Sequence, residues 1–314
     1  MTDLTAARRT FFGDIGFWAD RTALHEAASL GRALQLKQLI DSGECVNTVT
    51  VDNITPLHDA CIQGQPNCAR LLLNAGAQVD VRTIHGSTPL CNACAAGNME
   101  CAKMLLDHGA KVNPSLTALT ASPLHEACIR GNPAQCRNGT YSSDCKNKNV
   151  KKGGKKYLFL CSGNADLVRL LITNGALLEA YDIHFGNPLH TACAKGHVDC
   201  AQVLLNAGAK VNATKFHETA LHHAARVEMV DMIELLVQFG GKVYARDNQE
   251  QKPIDYTEPG SPSEVCFKFY ESTPLSLQQL SRIVLRSKMG TRAQEVVGQL
   301  DICHLIRSYL LYEL

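Results

Sequence analysis

Long hydrophobic runs are missing from this chain of 314 residues. Uninterrupted apolar stretches such as Leu158 to Leu160 are short, whereas a membrane-spanning helix needs about 20 apolar residues. Charge of one sign is also lacking, since 31 basic residues stand against 30 acidic ones. A hydrophobic content of 45% with so little net charge excludes a disordered chain. The segment from Met1 to Asp20 lacks the layout of a secretory signal, so we expect an intracellular, cytoplasmic protein.

A short motif recurs along most of the chain. One copy reads Thr55-Pro-Leu-His-Asp-Ala-Cys61, and related copies begin at positions 22, 88, 122, 187 and 219, with a worn copy at 252. Successive copies start about 33 residues apart, which is the spacing of a repeat array, except that the interval from 122 to 187 is nearly double. Thr is a good N-cap and Pro is tolerated in the first turn of a helix, so the motif predicts a helix start.

A second half-motif completes each unit. It consists of a Leu-Leu pair followed by a glycine, at Gly76, Gly109, Gly175 and Gly208, which predicts a second helix with a left-handed end. Together the halves resemble the ankyrin repeat over residues 22–257. The resemblance implies an all-α repeat solenoid with β-hairpin fingers, in which no unit buries its apolar face alone. Residues 1–21 are then an N-terminal segment or cap.

The wide interval between positions 122 and 187 requires an explanation of its own. Joining Asn132 directly to Ala165 restores the ordinary spacing, so we interpret residues 133–164 as an insertion between the two helices of the fourth repeat. It carries six Lys and one Arg against one Asp, and we expect a surface loop, with a translated splicing error as one origin. A nuclear-localisation signal at Lys146 to Lys156 is the alternative. Because the basic character is confined to this segment, no nucleic-acid partner is predicted.

Fourteen cysteines raise the question of disulfides or metal. Cys61, Cys94, Cys128 and Cys193 recur at one phase of the repeat, which is typical of small core residues in a reducing compartment. His-x-x-Cys pairs lie in successive stacked units, so four ligands would not converge on one ion. With no phosphate-binding glycine loop and no G-x-S-x-G elbow, we predict no metal, no cofactor and no enzymatic activity.

The tail departs from the repeat spacing. A turn-rich linker is predicted at residues 258–271, followed by a helical domain at 272–314. Ser276 and Gln279 have the spacing of a capping box, and apolar residues follow at helical spacing. This tail resembles a SOCS box, and the whole chain is similar to the ankyrin repeat and SOCS box family.

The resemblance implies two contact segments in the tail. The elongin-binding residues would be Ser276, Leu277, Leu280, Ser281 and Leu285. The cullin-binding residues would be Leu300, Ile302 and Cys303. Ser281 stands where the family usually has Cys, and Cys303 where it has Pro.

The function that this resemblance implies is substrate recognition in a ubiquitin ligase. The ankyrin stack would bind a target protein, and the tail would bind elongin C with elongin B, and a cullin-5-type cullin with its RING protein. The alternative is a non-catalytic ankyrin scaffold whose C-terminal helices only cap the stack. Neither interpretation involves a membrane.

Exposed apolar groups on the fingers are the candidates for target binding, because clustered exposed apolar side chains usually mark an interface. The predicted target-binding residues are Val51, Ile84, His85, His184, Phe185, Lys215, Phe216 and His217. The alternative for Phe185 and Phe216 is that their rings pack against adjacent hairpins.

Overall fold

A computed structural model describes residues 21–115, 121–130 and 164–312 of the chain. It divides into two compact units, Met1–Thr120 and Ala121–Leu314. The N-terminal cap predicted for residues 1–21 lies outside the described residues except for Arg21, and the predicted insertion lies outside them except for Asn164. No helix in the described ranges is long and apolar enough to cross a membrane.

The described part of the first unit, residues 21–115, contains three helix pairs. They are α1 (Ala23–Ser29) with α2 (Ala33–Asp41), α3 (Pro56–Ile62) with α4 (Pro66–Asn74), and α5 (Pro89–Ala96) with α6 (Met99–Asp107). The Thr55 hydroxyl accepts a hydrogen bond from the His58 amide at 3.3 Å, as expected of an N-cap. Leu57 and Leu72 are fully buried, so adjacent pairs supply each other's core.

The second unit continues the same pattern. The repeat helices in its described ranges are α7 (Pro123–Ile129), α8 (Ala165–Thr173), α9 (Pro188–Lys195), α10 (Val198–Asn206), α11 (Ala220–Val227) and α12 (Val230–Gln238). Strands β1 (Thr214–Lys215) and β2 (Glu218–Thr219) form an antiparallel hairpin in one finger, and an isolated bridge joins Asp182 to Gly186 in another. The predicted fold class, a helical repeat array with fingers and a helical C-terminal box, is confirmed.

Helices α7 and α8 pack against each other although the segment 133–164 separates them in sequence. The His125 imidazole bonds the Gly186 carbonyl at 2.9 Å, 61 residues away, whereas His25 and His58 reach carbonyls 29 residues away. The difference equals the length of that segment. The two helices therefore pair as first and second helix of one repeat.

Residues 258–271 were predicted as a linker, and the structure corrects this. After a 3₁₀ turn at Pro253–Tyr256, helix α13 (Pro262–Ser272) packs on α12. The Ser261 hydroxyl caps this helix by accepting from the Glu264 amide at 3.1 Å, and the Phe267 ring is fully buried. The worn seventh repeat thus retains its second helix and closes the stack.

The C-terminal box has three helices. They are α14 (Leu277–Met289), α15 (Ala293–Gln299) and α16 (His304–Leu311), with a 3₁₀ turn at Gly290–Arg292. Ala293 and Val297 of α15 and Leu310 of α16 are buried. Because α14 packs on both α15 and α16, the box has a small core of its own.

Candidate functional site

Helix α14 presents an open apolar face. The predicted capping box is present at its start, where the Ser276 hydroxyl accepts from the Gln279 amide at 3.2 Å and the Gln279 side-chain oxygen accepts from the Ser276 amide at 2.9 Å. This cap fixes the first turn and leaves Leu277 83% exposed. Leu280, Val284 and Leu285 are exposed as well.

These side chains share one side of the helix, since positions three, four, seven and eight residues apart lie on one face. Ser281 is exposed on the same side. We call the five residues Leu277, Leu280, Ser281, Val284 and Leu285 the open face of α14. A contiguous exposed apolar patch of this kind marks an interaction surface.

Ser281 does not leave its hydroxyl unsatisfied. Its Oγ donates to the Leu277 carbonyl oxygen at 2.7 Å, within the helix. The exchange of the family's usual Cys for Ser therefore costs apolar contact area at the open face and does not leave an orphaned polar group.

The predicted cullin segment lies at the junction of α15 and α16. Leu300 and Cys303 are exposed, and Ile302 is half-buried. Cys303 is the N-cap of α16 with φ −60° and ψ 153°, and this φ is the one that a proline ring imposes. A proline at position 303 would therefore be compatible with the φ that Cys303 already has.

Fingers of the first unit place their predicted residues at the surface. Val51 is 79% and Ile84 60% exposed, and His85 is exposed. The Ile84 amide donates to the Asp52 carbonyl at 3.0 Å, so that the two fingers are tied together. Apolar tips held in this way lose little conformational entropy when a partner binds.

In the second unit the finger preceding α9 differs from the prediction. His184 is exposed, but Phe185 is half-buried, because Asp182 accepts from the amides of His184 and Phe185 at 2.7 and 2.8 Å and folds the turn inward. Ile183 is the exposed apolar residue instead, at 58%.

Ile183 was missed by sequence reasoning, although a signal existed. It stands four residues before the cap residue Asn187, just as Val51 and Ile84 stand four residues before Thr55 and Thr88. This repeat phase identifies the tip position better than side-chain size does.

The β1–β2 hairpin carries the other predicted aromatic residue. Its register pairs Lys215 with Glu218, which leaves a two-residue loop of Phe216 and His217 with φ of 49° and 69°. Such loops normally take Asn and Gly, because most other side chains are strained at positive φ, whereas Gly has no Cβ and the short polar side chain of Asn is tolerated there. Phe216 is nonetheless 62% exposed; His217 is exposed and Lys215 half-buried.

Charged groups lie behind this hairpin. The Arg226 guanidinium pairs with Glu218 and lies 4.2 Å from the centre of the Tyr256 ring, and hydrogen bonding from Arg226 lowers the pKa of Glu218. A cavity of about 300 Å³ opens here, lined by Phe216, Glu218, Arg226, Asp247, Asn248, Gln249 and Tyr256. Phe216 therefore stands at the rim of a polar recess.

The repeat histidines are committed to structure. His58 accepts from the Thr55 amide at Nδ1 (3.1 Å) and donates from Nε2 to the Ser87 carbonyl (3.3 Å). Burial lowers the pKa of His58 to about 4. Over residues 21–115, 121–130 and 164–312, no cluster of three His, Cys, Asp or Glu is arranged to hold a metal ion.

Known proteins share this architecture. Family models for ankyrin repeats match residues 10–83, 80–138 and 156–247, and the SOCS box model matches residues 273–311. Ankyrin repeat and SOCS box protein 13 of Mus musculus is 57% identical over 302 residues, covering 96% of each chain. Protein 11 of this series from Homo sapiens is 42% identical over 307 residues, covering 98% of this chain and 84% of the relative.

Solved structures agree. The crystal structure of the human ASB11 ankyrin repeat domain has a TM-score of 0.67 at 35% identity and covers 81% of this chain and 100% of that one. The ankyrin repeat domain of Bcl-3, at 23% identity, covers 79% of this chain and 98% of that one with a TM-score of 0.56, and shares the fold. The chain is an ankyrin repeat array with a SOCS box. It belongs to the ankyrin repeat and SOCS box family, and this architecture is consistent with a substrate adaptor of a SOCS-box ubiquitin ligase.

Proposed function

We propose that this protein is the non-catalytic substrate-recognition subunit of an elongin B/C–cullin–RING ubiquitin ligase. The observation that carries the proposal is the open face of α14, with Leu277 83% exposed on a well-capped helix. A helix gains nothing by presenting Leu277 and its neighbours to water, so a partner groove lined by apolar side chains is the natural occupant. Elongin C is that partner in our proposal, with elongin B bound to it.

The cullin contact would follow from the segment 300–303. Exposed Leu300 and half-buried Ile302 precede a helix start at Cys303, and a cullin-5-type cullin with its RING protein would bind there. The chain itself performs no bond-forming step. It raises the concentration of target lysines near the charged ubiquitin-conjugating enzyme.

Target binding is assigned to the finger tips. Val51 and Ile84 in the first unit, and Ile183 and Phe216 in the second, are apolar and more than half exposed. The positive φ at Phe216 adds a second argument, because backbone strain persists where a side chain must be displayed in a given direction.

All eleven cysteines in the described part of the chain are free thiols, as a protein of the reducing cytoplasm would have.

The test is Leu277→Asp, with co-purification of elongins B and C as the measurement. A carboxylate buried at the centre of an apolar contact costs several kcal/mol (about 2 or more), so we expect both elongins to be lost from the preparation. The melting temperature of the stack should stay unchanged, since Leu277 is 83% exposed and contributes little to the core.

A matched control is Leu34→Asp. Leu34 lies on α2 and is 82% exposed, so the substitution is the same in chemistry and exposure but far from the box in sequence. We expect full elongin recovery with this variant. Undiminished elongin recovery with Leu277→Asp would refute the assignment and favour the scaffold alternative, in which the box only caps the stack.

A further inference from the structure

The side of α14 opposite its open face packs against the rest of the second unit, and it does so through arginine side chains. The Arg286 side chain is buried, and its Nη2 donates to the carbonyl oxygens of Leu205 at 3.2 Å and Asn206 at 2.8 Å. Both carbonyls belong to the last turn of α10, where carbonyl oxygens have no amide four residues on within the helix, and the Leu205 oxygen also accepts from the Gly208 amide at 3.0 Å. A cation at this negative end of the helix is electrostatically favourable.

A second contact joins the box to α12. The Tyr312 ring stacks on the Phe239 ring with centroids 3.7 Å apart and planes 15° apart. The Tyr312 hydroxyl donates to the Gln238 carbonyl at 2.8 Å, at the end of α12. The Arg282 guanidinium lies 3.7 Å from the centre of the Tyr312 ring. We call Arg282, Arg286, Tyr312 and Phe239 the dock.

Two glycines show how closely the box approaches the stack. A Cβ added at Gly208 would lie 2.7 Å from the backbone of Gly290, and one added at Gly240 would lie 2.7 Å from Ile283. The corresponding glycines of other repeats, Gly76, Gly109 and Gly175, have nothing within 4 Å of such an atom. The helix-ending glycine therefore serves a second purpose in the two repeats under the box.

Among the described residues, the arginines of the dock have no acidic partner. None of the ion pairs found there includes Arg282 or Arg286. Both cations are held by carbonyl oxygens and aromatic rings, whose interactions depend on direction. A contact of this kind fixes the orientation of the box relative to the helix ends, whereas an exposed ion pair between flexible side chains is compatible with many orientations.

We propose that Arg286 and Arg282 are positioning residues. Arg286 fixes the box on the end of α10, and Arg282 holds the Tyr312 ring, which in turn contacts the end of α12. Together they set the direction in which the open face of α14 points relative to the finger tips of the second unit. The role in ubiquitin transfer rests on the function proposed above, whereas the dock itself does not. Elongin binding would leave the dock intact, because the open face and the dock lie on opposite sides of α14.

The test compares Arg286→Ala with Arg292→Ala, an exposed arginine of the same box. Amide hydrogen exchange of the free full-length chain measures opening of the dock. Because charged hydrogen bonds are lost, we expect exchange in residues 277–289 to accelerate about tenfold in Arg286→Ala and to stay at the wild-type rate in Arg292→Ala. Elongin B/C affinity should stay within about twofold for both, since the open face is unchanged.

The readout specific to positioning is site choice. The ligase is reconstituted with elongins B and C, cullin-5 and its RING protein, and mass spectrometry identifies which lysines of the chain itself receive ubiquitin. Arg286→Ala should spread the modification over more lysines than wild type, because the box no longer holds one direction, while Arg286→Lys should restore part of the wild-type pattern.

A second pair keeps the test decisive if Arg286→Ala unfolds the box. Gly208→Ala places a methyl group against the Gly290 backbone, and Gly175→Ala introduces the same positive-φ strain where nothing is near. Amide exchange in residues 277–289 that is faster in Gly208→Ala but unchanged in Gly175→Ala supports the dock. Equal exchange rates in Gly208→Ala and Gly175→Ala would overturn the dock. Faster exchange in Arg286→Ala with the same pattern of modified lysines as wild type would overturn the positioning role. Failure of wild type to bind elongin would refute the proposed function and leave the exchange comparison valid.

Discussion

Acidification should unfold the repeat array through its buried histidines. His25, His58, His190 and His222 each occupy the third position of a first helix and are fully or almost fully buried. In each, Nδ1 accepts from the backbone amide of the cap residue. A proton on Nδ1 would point at that amide, so the folded state requires the neutral ring.

The magnitude follows from the pKa values. Burial lowers the pKa of His58 and of His190 from 6.5 to about 4, and it lowers the pKa of His25, His125 and His222 in the same direction. The unfolded chain therefore binds protons below pH 6.5 that the folded chain refuses until about pH 4. The stability that the neutral rings contribute is fully present above pH 6.5 and is lost as pH falls through this window.

His58 and His190 alone give the size of the effect. At pH 5 the unfolded chain holds nearly two more protons through them, a slope of about 2.4 kcal/mol per pH unit. Each contributes about 3 kcal/mol by pH 4, and together they approach the whole stability of a typical domain. Asp59 acts in the opposite direction and offsets about one of these two histidines, because burial raises its pKa from 3.8 to about 7. The net loss of stability therefore also rests on His25, His125 and His222, whose pKa values are lowered by burial.

Urea unfolding followed by circular dichroism at pH 7.5, 6.5, 5.5 and 4.5 checks this prediction. The free energy of unfolding should change little between pH 7.5 and pH 6.5 and should fall steeply below pH 6.5. His58→Gln should reduce the slope by about one proton, because a titrating group is removed. A free energy of unfolding that is flat from pH 7 to pH 5 would refute the reasoning.

Four further predictions concern the fingers, the box and the insertion. Replacing Phe216 and His217 by Asn-Gly should raise the melting temperature, since about 1 kcal/mol or more of positive-φ strain is removed, and should weaken capture of the target; a lower melting temperature would show the aromatic ring to be a packing residue. Ser281→Cys should tighten elongin binding measured by calorimetry, and Cys303→Pro should tighten cullin binding without loss of stability, because φ is already −60°. Deleting residues 133–164 should preserve or raise the melting temperature, with Asn132 replacing Asn164 as the cap of α8; a large drop would mean that the segment is packed.

Periodicity made most of the fold predictable. Each copy of the Thr-Pro-Leu-His motif begins a helix at the expected residue, because cap and proline act within one turn and need no knowledge of the rest of the chain. The resemblance to a SOCS box likewise placed the start of α14 at Ser276. Local chemistry and a fixed period determine these features.

Helix α13 and the finger before α9 were not predictable in the same way. The turn residues from Glu258 to Ser263 indicate a linker, yet Ser261 and Pro262 are also a cap and first position of a helix, and only burial of Phe267 against the stack decides between them. Similarly, the apolar residues of the finger before α9 led us to expect an exposed Phe185, whereas Asp182 accepts from the amides of His184 and Phe185 and Ile183 is the exposed residue.

Helix α14 shows most clearly what a linear pattern leaves open. Its sequence is amphipathic, and the usual rule buries the apolar side and exposes the charged one. The structure does the reverse: Arg282 and Arg286 are buried, while Leu277 and Leu285 face solvent. The acceptors of Arg286 belong to α10, far earlier in the chain, whereas Arg282 donates to the Tyr309 carbonyl within the box, and no local pattern reveals either contact. Exposing the apolar side of an amphipathic helix to water is unfavourable in free energy, and a partner that covers the open face would remove this unfavourable exposure.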